Sequence, residues 1–121
     1  MYRSRLDTDL NDVTLDYVSS INDDSEIAFY DIIGSQAHSL MLFQNNIITK
    51  NDVKKILSAL ENLKKQKFDS SSGAEDIHEL IESLVIKKAG MASGGKMHTA
   101  RSRNDQVVLD IRMKIRDDIN I

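Results

Sequence analysis

Apolar positions in residues 24–45 recur at steps of three and four. Ile27, Tyr30, Gly34, Ala37 and Met41 fall on one side of a helix, and Ile33 and Leu40 widen that stripe. The spacing predicts one long, largely buried helix. Gly34 weakens such a helix relative to alanine, so its expected use is the close approach of a neighbouring helix. A second helix has a marked start. Thr49 is placed to cap it, and Asp52, three residues on, can answer as the partner in a capping box. Val53, Ile56, Leu57, Leu60 and Leu63 then form one face, while Lys54, Lys55, Glu61 and Lys64 stay wet.

A third helix is expected from near Ser72 or Glu75, which repeat the capping-box spacing. Its core stripe is Ile77, Leu80, Ile81, Leu84 and Val85. Lys87 and Lys88 suit the negative end of its dipole, and Gly90 supplies a stop. After a glycine-bearing loop over residues 90–101, a last helix begins near residue 103. Ser102 and Asp105 carry the cap spacing, and Val108, Ile111, Ile115 and Ile119 form the apolar face. The stripe is still periodic at Ile121, so the expectation is a helix cut in mid-course and a chain that is part of a longer one. No segment alternates with period two long enough to be a strand. The expected fold class is all-α, with short connections between neighbouring helices.

Composition narrows the functional classes. The chain has 121 residues, 40% hydrophobic and 29% charged, a balance that excludes a disordered tail. Lys and Arg number 16 and Asp and Glu 19, for a net charge of −3, so no global basic excess points to nucleic acid or an anionic membrane. With no cysteine there is no disulfide scaffold, cysteine-bound zinc or thiol nucleophile. Proline is absent too, where average usage would give about six. Aromatic residues make up only 5%, low for a self-sufficient core. The start, Met1 to Leu6, has no apolar signal region, and the longest apolar runs, such as residues 40–43, fall far short of the ~20 residues of a membrane span. A cytoplasmic protein is the default expectation.

Four stretches invite a chemical reading. Gly90 to Met97 has the Gly-x4-Gly-Lys spacing of a phosphate loop, but Met97 stands where a hydroxyl must reach magnesium, and a helix precedes it instead of a strand; nucleotide binding is rejected. His38, His78 and His98 include no pair spaced to share a helix face, and Asp76 and His78 are two apart, so no metal is expected. Lys96, Arg101, Arg103, Arg112, Lys114 and Arg116 are diluted by Asp105, Asp110, Asp117 and Asp118 and have no aromatic neighbours for base stacking, which favours a solvated helix surface over nucleic acid. The fourth stretch runs from Gly94 to Gln106, a glycine loop entering a helix N-terminus. Free backbone N–H groups and the dipole favour an anion there, Arg101 and Arg103 can grip a carboxylate, and Thr99, Ser102 and Asn104 add neutral hydrogen bonds. A helix cap with surface charge explains the same residues, and spacing alone leaves both readings open.

His98-Thr99-Ala100-Arg101-Ser102-Arg103-Asn104-Asp105-Gln106-Val107 resembles the first signature region of the argininosuccinate lyase family, within the fumarase/aspartase superfamily. Tyr17-Val18-Ser19-Ser20-Ile21 with Asp24 is similar to that family's early Ser-Ile segment and following Asp. Gly34-Ser35-Gln36-Ala37-His38 is similar to its Gly-Ser-x-Ala-His stretch, and Glu75-Asp76-Ile77-His78 with Ile81-Glu82 to its Glu-Asp-Ile-His helix start. The four occur in the family's order. The Arg101 to Asp105 run separates this branch from fumarases, aspartases and adenylosuccinate lyases. The start, Met1 to Leu6, departs from the family's usual Leu-Trp-Gly-Gly-Arg-Phe and points to a divergent, archaeal-type branch.

The resemblance implies reversible β-elimination of argininosuccinate to arginine and fumarate in arginine biosynthesis, with no cofactor or metal, by a cytoplasmic homotetramer that binds neither nucleic acid nor membrane. It also implies a fold: residues 1–105 as the superfamily's N-terminal helical domain, and residues 106–121 as the opening of a long helix of the central domain. Ser20, Arg103 and Asn104 match substrate-binding positions, with Ser102 beside them. Asp24, Asp76 and His78 match polar positions near the site, where Thr99 and Arg101 also fall. Local roles compete: a helix cap for Ser20, dipole compensation for Asp76 and His78, a capping partner for Glu75, and a local hydrogen bond in a packed helix for His38. The family's Thr-His signature and its Ser-Ser-x-Met-Pro-x-Lys loop with the catalytic serine are not in this chain, so no catalytic residue is expected here and the chain by itself is expected to be inactive. The alternatives are a non-catalytic helical interaction module and another lyase of the superfamily.

Overall fold

The computed structural model describes residue 13, residues 25–68, residue 74 and residues 76–120. Among them every extended element is helical. A 3-10 turn, Ser25–Ile27, leads into α1 (Ala28–Gln44). It is followed by α2 (Lys50–Leu63), α3 (Ile77–Ala89), the single turn α4 (Met91–Gly94) and α5 (Arg103–Ile119). The all-α expectation stands, and no described helix is long and apolar enough to cross a membrane.

The core forms where α1, α2 and α3 meet. Leu42, Ile56, Leu60, Leu63, Ile77, Ile81 and Val85 are fully buried there. Removing such a side chain from water contributes about 1.5–3 kcal/mol each, before the entropy of ordering it is set against that gain. The capping box at α2 is complete: Thr49 Oγ1 accepts from the Asp52 N–H at 3.1 Å, and Asp52 Oδ2 accepts from the Thr49 N–H at 3.1 Å. α1 stops in a Schellman arrangement. Asn46 takes a left-handed φ of 57°, its N–H donates to Phe43 O, and the Ile47 N–H donates to Leu42 O at 2.9 Å. Gly90 ends α3 with φ of 85° and donates to Ile86 O.

Three expectations are corrected. The inward face of α1 is Ala28, Asp31, Ile32, Gly34, Ser35, Ser39 and Leu42, while Ala37 and Met41 are exposed. This helix is apolar over much of its circumference, so periodicity does not choose its side; neighbouring polar groups do. The cap of α3 is Asp76, whose carboxylate accepts from the Glu79 N–H at 2.7 Å. The helix starts at Ile77, and the proposed caps Ser72 and Glu75 lie outside the described residues. Finally, the apolar stripe of α5 faces outward: Val108 is 54% exposed, Ile115 51% and Ile119 75%. The residues that α5 buries are Gln106 and Asp110. A stripe reports that a helix has an apolar face, not what lies against it.

Candidate functional site

The turn from α4 into α5 is fixed from two sides. Below it, Asp52 at the start of α2 accepts from Ser93 Oγ at 2.8 Å and from Lys96 Nζ at 2.8 Å, in addition to Thr49. The Lys96 bond, with those from Ser93 and Thr49, holds the Asp52 carboxyl well below the usual carboxylate range. The lysine of the Gly-x4-Gly-Lys pattern is therefore an internal partner, and Met97 beside it is buried. On the other side, His38 Nε2 donates to Thr99 O at 2.7 Å. That bond crosses 61 residues, so His38 ties α1 to the turn instead of satisfying its own helix.

Ala100 sits at φ of 56°, an uncommon conformation for a residue with a side chain, and turns the chain toward α5. Ser102 caps α5, but its Oγ accepts from the Asn104 N–H at 3.2 Å, not through Asp105. Arg103 lies between α5 and the start of α3. Its Nη1 donates to Gln106 Oε1 at 3.2 Å, and its other nitrogens stand 3.9 Å from Asp76 and 3.6 Å from Glu82. Asn104 is exposed and lines an open groove along the outer side of α5 with Val108, Arg112 and Arg116.

Arg101 is turned inward. Its Nη1 donates to Ser35 Oγ at 2.9 Å, and its Nη2 is buried close to Gly34. A methyl group at Gly34 would stand 3.3 Å from Nη2 and 3.1 Å from Leu109, which is the close approach expected of this glycine. Burial pulls the Arg101 guanidinium below its ordinary value, with Asp31 and Asp110 acting in the opposite sense.

Under the helix start lies a buried polar cluster that sequence reasoning missed. Asp31 of α1, His78 of α3 and Asp110 of α5 are each at most 1% exposed. His78 Nδ1 stands 3.1 Å from Asp31 Oδ1 and 3.4 Å from Asp110 Oδ2, and Gln106 Nε2 donates to Asp31 Oδ1. Burial, reinforced by the charge of Asp31, pushes the Asp110 carboxyl up to about 8. Burial also acts upward on Asp31, but His78, Gln106 and Asp110 outweigh it and leave Asp31 below the ordinary range. Among the described residues these three are the group whose ligand-type atoms come within 4.8 Å of one another, as in a metal centre. Within the protein, the neutral Gln106 amide donates to Asp31, and the Arg101 guanidinium interacts through its charge with both Asp31 and Asp110. The cluster is assembled by three helices, so spacing within any one of them could not reveal it. The sequence carries a signal for two of them, Asp31 and His78, which stand among core-facing positions of their helices, whereas Asp110 stands off the apolar stripe of α5.

Of the expected site residues, the structure brings Asp76 and Arg103 together at one edge, with Glu82, which was not among them, alongside, and sets Ser102 and Asn104 beside them. His78 lies beneath and Arg101 points away into the α1 contact. Thr99 enters through its backbone carbonyl. Ser20 and Asp24 lie outside the described residues.

The all-α fold of the described residues fits the N-terminal domain of a lyase-like protein. The chain is 81% identical over all 121 residues to the argininosuccinate lyase of Nitrosopumilus maritimus. It is 44% identical over 109 residues to that of Methanothrix thermoacetophila, and 38% over 122 residues to that of Methanocaldococcus jannaschii. These alignments cover 100%, 90% and 98% of the chain. The chain belongs to the argininosuccinate lyase family, and it spans about a quarter of the length of these relatives, 25%, 22% and 25%. No family model matches it.

Proposed function

We propose that this chain forms the N-terminal part of an argininosuccinate lyase, which cleaves argininosuccinate reversibly to arginine and fumarate in arginine biosynthesis. The observation that carries the reading is the whole-length match to the Nitrosopumilus maritimus enzyme. The reaction places a second negative charge on a carboxylate after a base removes the neighbouring proton, so hydrogen-bond donors must await it. The start of α5 offers such donors. Arg103 is held at 3.6 and 3.9 Å by its acidic neighbours, longer than a tight ion pair, so an incoming carboxylate competes for it. Asn104 adds a neutral amide at the open edge, Ser102 sets the helix start, and Ser20 is assigned to the same substrate. Asp24, Asp76, His78 and Thr99 support the site. The base and the acid for the leaving guanidinium come from outside this chain, which is inactive alone. The whole enzyme is a cytoplasmic homotetramer that needs no cofactor or metal.

The test is a chimera in which this chain replaces the matching segment of the Nitrosopumilus maritimus enzyme. Fumarate release, read in the ultraviolet, is expected from the chimera and not from the chain alone. Arg103→Ala is expected to lower kcat/KM by at least a hundredfold, and Lys114→Ala, at the exposed pair with Asp118, by less than twofold. A soluble, folded but inactive chimera would leave a non-catalytic helical module as the reading.

A further inference from the structure

The docking of α5 is chemically unusual. This helix carries Val107, Val108, Leu109 and Ile111, yet the residues it buries are Gln106 and Asp110. They meet Asp31 of α1 and His78 of α3, beside Arg101 from the turn, which itself donates to Ser35 of α1. Burying charge is costly, and apolar contacts would hold a helix with less penalty. What a seat of specific polar partners adds is register: an apolar face tolerates sliding, while Gln106 keeps its bond to Asp31 Oδ1, and Asp110 its place 3.4 Å from His78, in one setting of the helix. Asp110 lies two turns along α5 from Arg103 and less than two from Asn104, so its position sets theirs.

We propose that Asp31 and Asp110 are positioning residues for the substrate-binding helix start: touching no substrate, they engage His78 and Arg101 from both sides and thereby fix Arg103 and Asn104 against α1 and α3. The inference rests on the lyase reading for its kinetic meaning. The charge balance of the cluster makes it sensitive to pH. Asp110 faces Asp31 from α1, His78 from α3 and Arg101 from the turn, with Gln106 on its own helix. While Asp110 keeps its proton, the two carboxyl groups share one negative charge. Once it ionises, around pH 8, two carboxylates are pressed together in a buried seam, and α5 is pushed from its seat.

Kinetics in the chimera between pH 6 and 9.5 test this. KM for argininosuccinate is expected to rise at least threefold from pH 7 to 9.5 in the parent. In Asp110→Asn, which stays neutral, KM is expected to be flat over that range. In Asp31→Asn the rise is expected at lower pH, because the charge that resists ionisation of Asp110 is gone. Asp110→Ala is expected to raise KM about tenfold at every pH, with a smaller change in kcat. A parent and Asp110→Asn with the same KM profile would overturn the proposal, as would a folded Asp110→Ala with unchanged KM. If Asp110→Ala does not fold, the asparagine variant decides. If the chimera with the unaltered chain makes no fumarate, the lyase reading falls separately. The cluster is then tested by NMR on the 121-residue chain: the Asn104 amide is expected to titrate near pH 8 in the parent and not in Asp110→Asn, and its failure to titrate in the parent would sink the proposal.

Discussion

Asp52 and Asp110 show two opposite fates for a buried carboxyl. Asp52 is surrounded by donors, from Lys96, Ser93 and Thr49, and favours its charge. Asp110 is buried beside another carboxyl and favours its proton. Their effects on stability run in opposite senses. Between pH 4 and 8 the unfolded chain has lost the Asp110 proton while the folded chain keeps it, so stability falls as pH rises through that window and levels off above 8. Asp52 stabilises above its unfolded pKa, and its contribution is lost as the pH drops below that range. Urea denaturation of Asp110→Asn is therefore expected to show a weaker decline from pH 5 to 8 than the parent, and parallel curves would contradict the assignment. Of these two residues only Asp52 was legible in the sequence, because its capping partner is three residues away. Asp110 reads in the sequence as a surface charge diluting a basic stretch, since its partners Asp31 and His78 are remote in the chain. Arg101 was legible as a charged group beside the site, but not its inward direction, which Ser35 and the space over Gly34 decide.

At the scale of elements, α2 was the most legible. Its start, its wet face and its buried Leu60 and Leu63 all follow from local pattern. Leu60→Ala is expected to cost about 2–5 kcal/mol, and Ile119→Ala, on an exposed position, less than about 0.5, both by urea denaturation. The packing of α4 on α3 depended on a feature no pattern reveals. A methyl group at Gly94 would stand 2.8 Å from the Ile86 Cα and 3.1 Å from the Val85 carbonyl oxygen, and backbone cannot give way. At Gly34 the nearest atoms are ends of side chains, which can shift. Gly94→Ala is accordingly expected to destabilise by about 1–3 kcal/mol, as overpacking does, while Gly34→Ala stays within about 1 kcal/mol of the parent because a gain in helix propensity offsets the crowding. Equal thermal midpoints for Gly94→Ala and the parent would refute the close contact.

For the whole molecule, the all-α class was legible because long periodic segments and missing proline agree. The arrangement of α5 was not, because its amphipathic stripe promised a buried face and the chain buries the other side. Val108, Ile111, Ile115 and Ile119 lie together in solvent, a contiguous apolar face of the kind that promotes association. Light scattering is expected to give a mass that grows with concentration, and Ile111→Lys with Ile115→Lys to restore the monomer mass. Concentration-independent scattering by the parent would argue against a sticky face. The polar seat of α5 also divides the molecule in time. The amides of α2 and α3 lie over the hydrocarbon core and open only when that core does, whereas α5 rests on a polar seat, in which Gln106 bonds to Asp31, that water can enter. In hydrogen exchange, α5 should release its protons well before α2. On that expectation the core outlasts the seat of α5, and this helix comes away from it before the core has to melt.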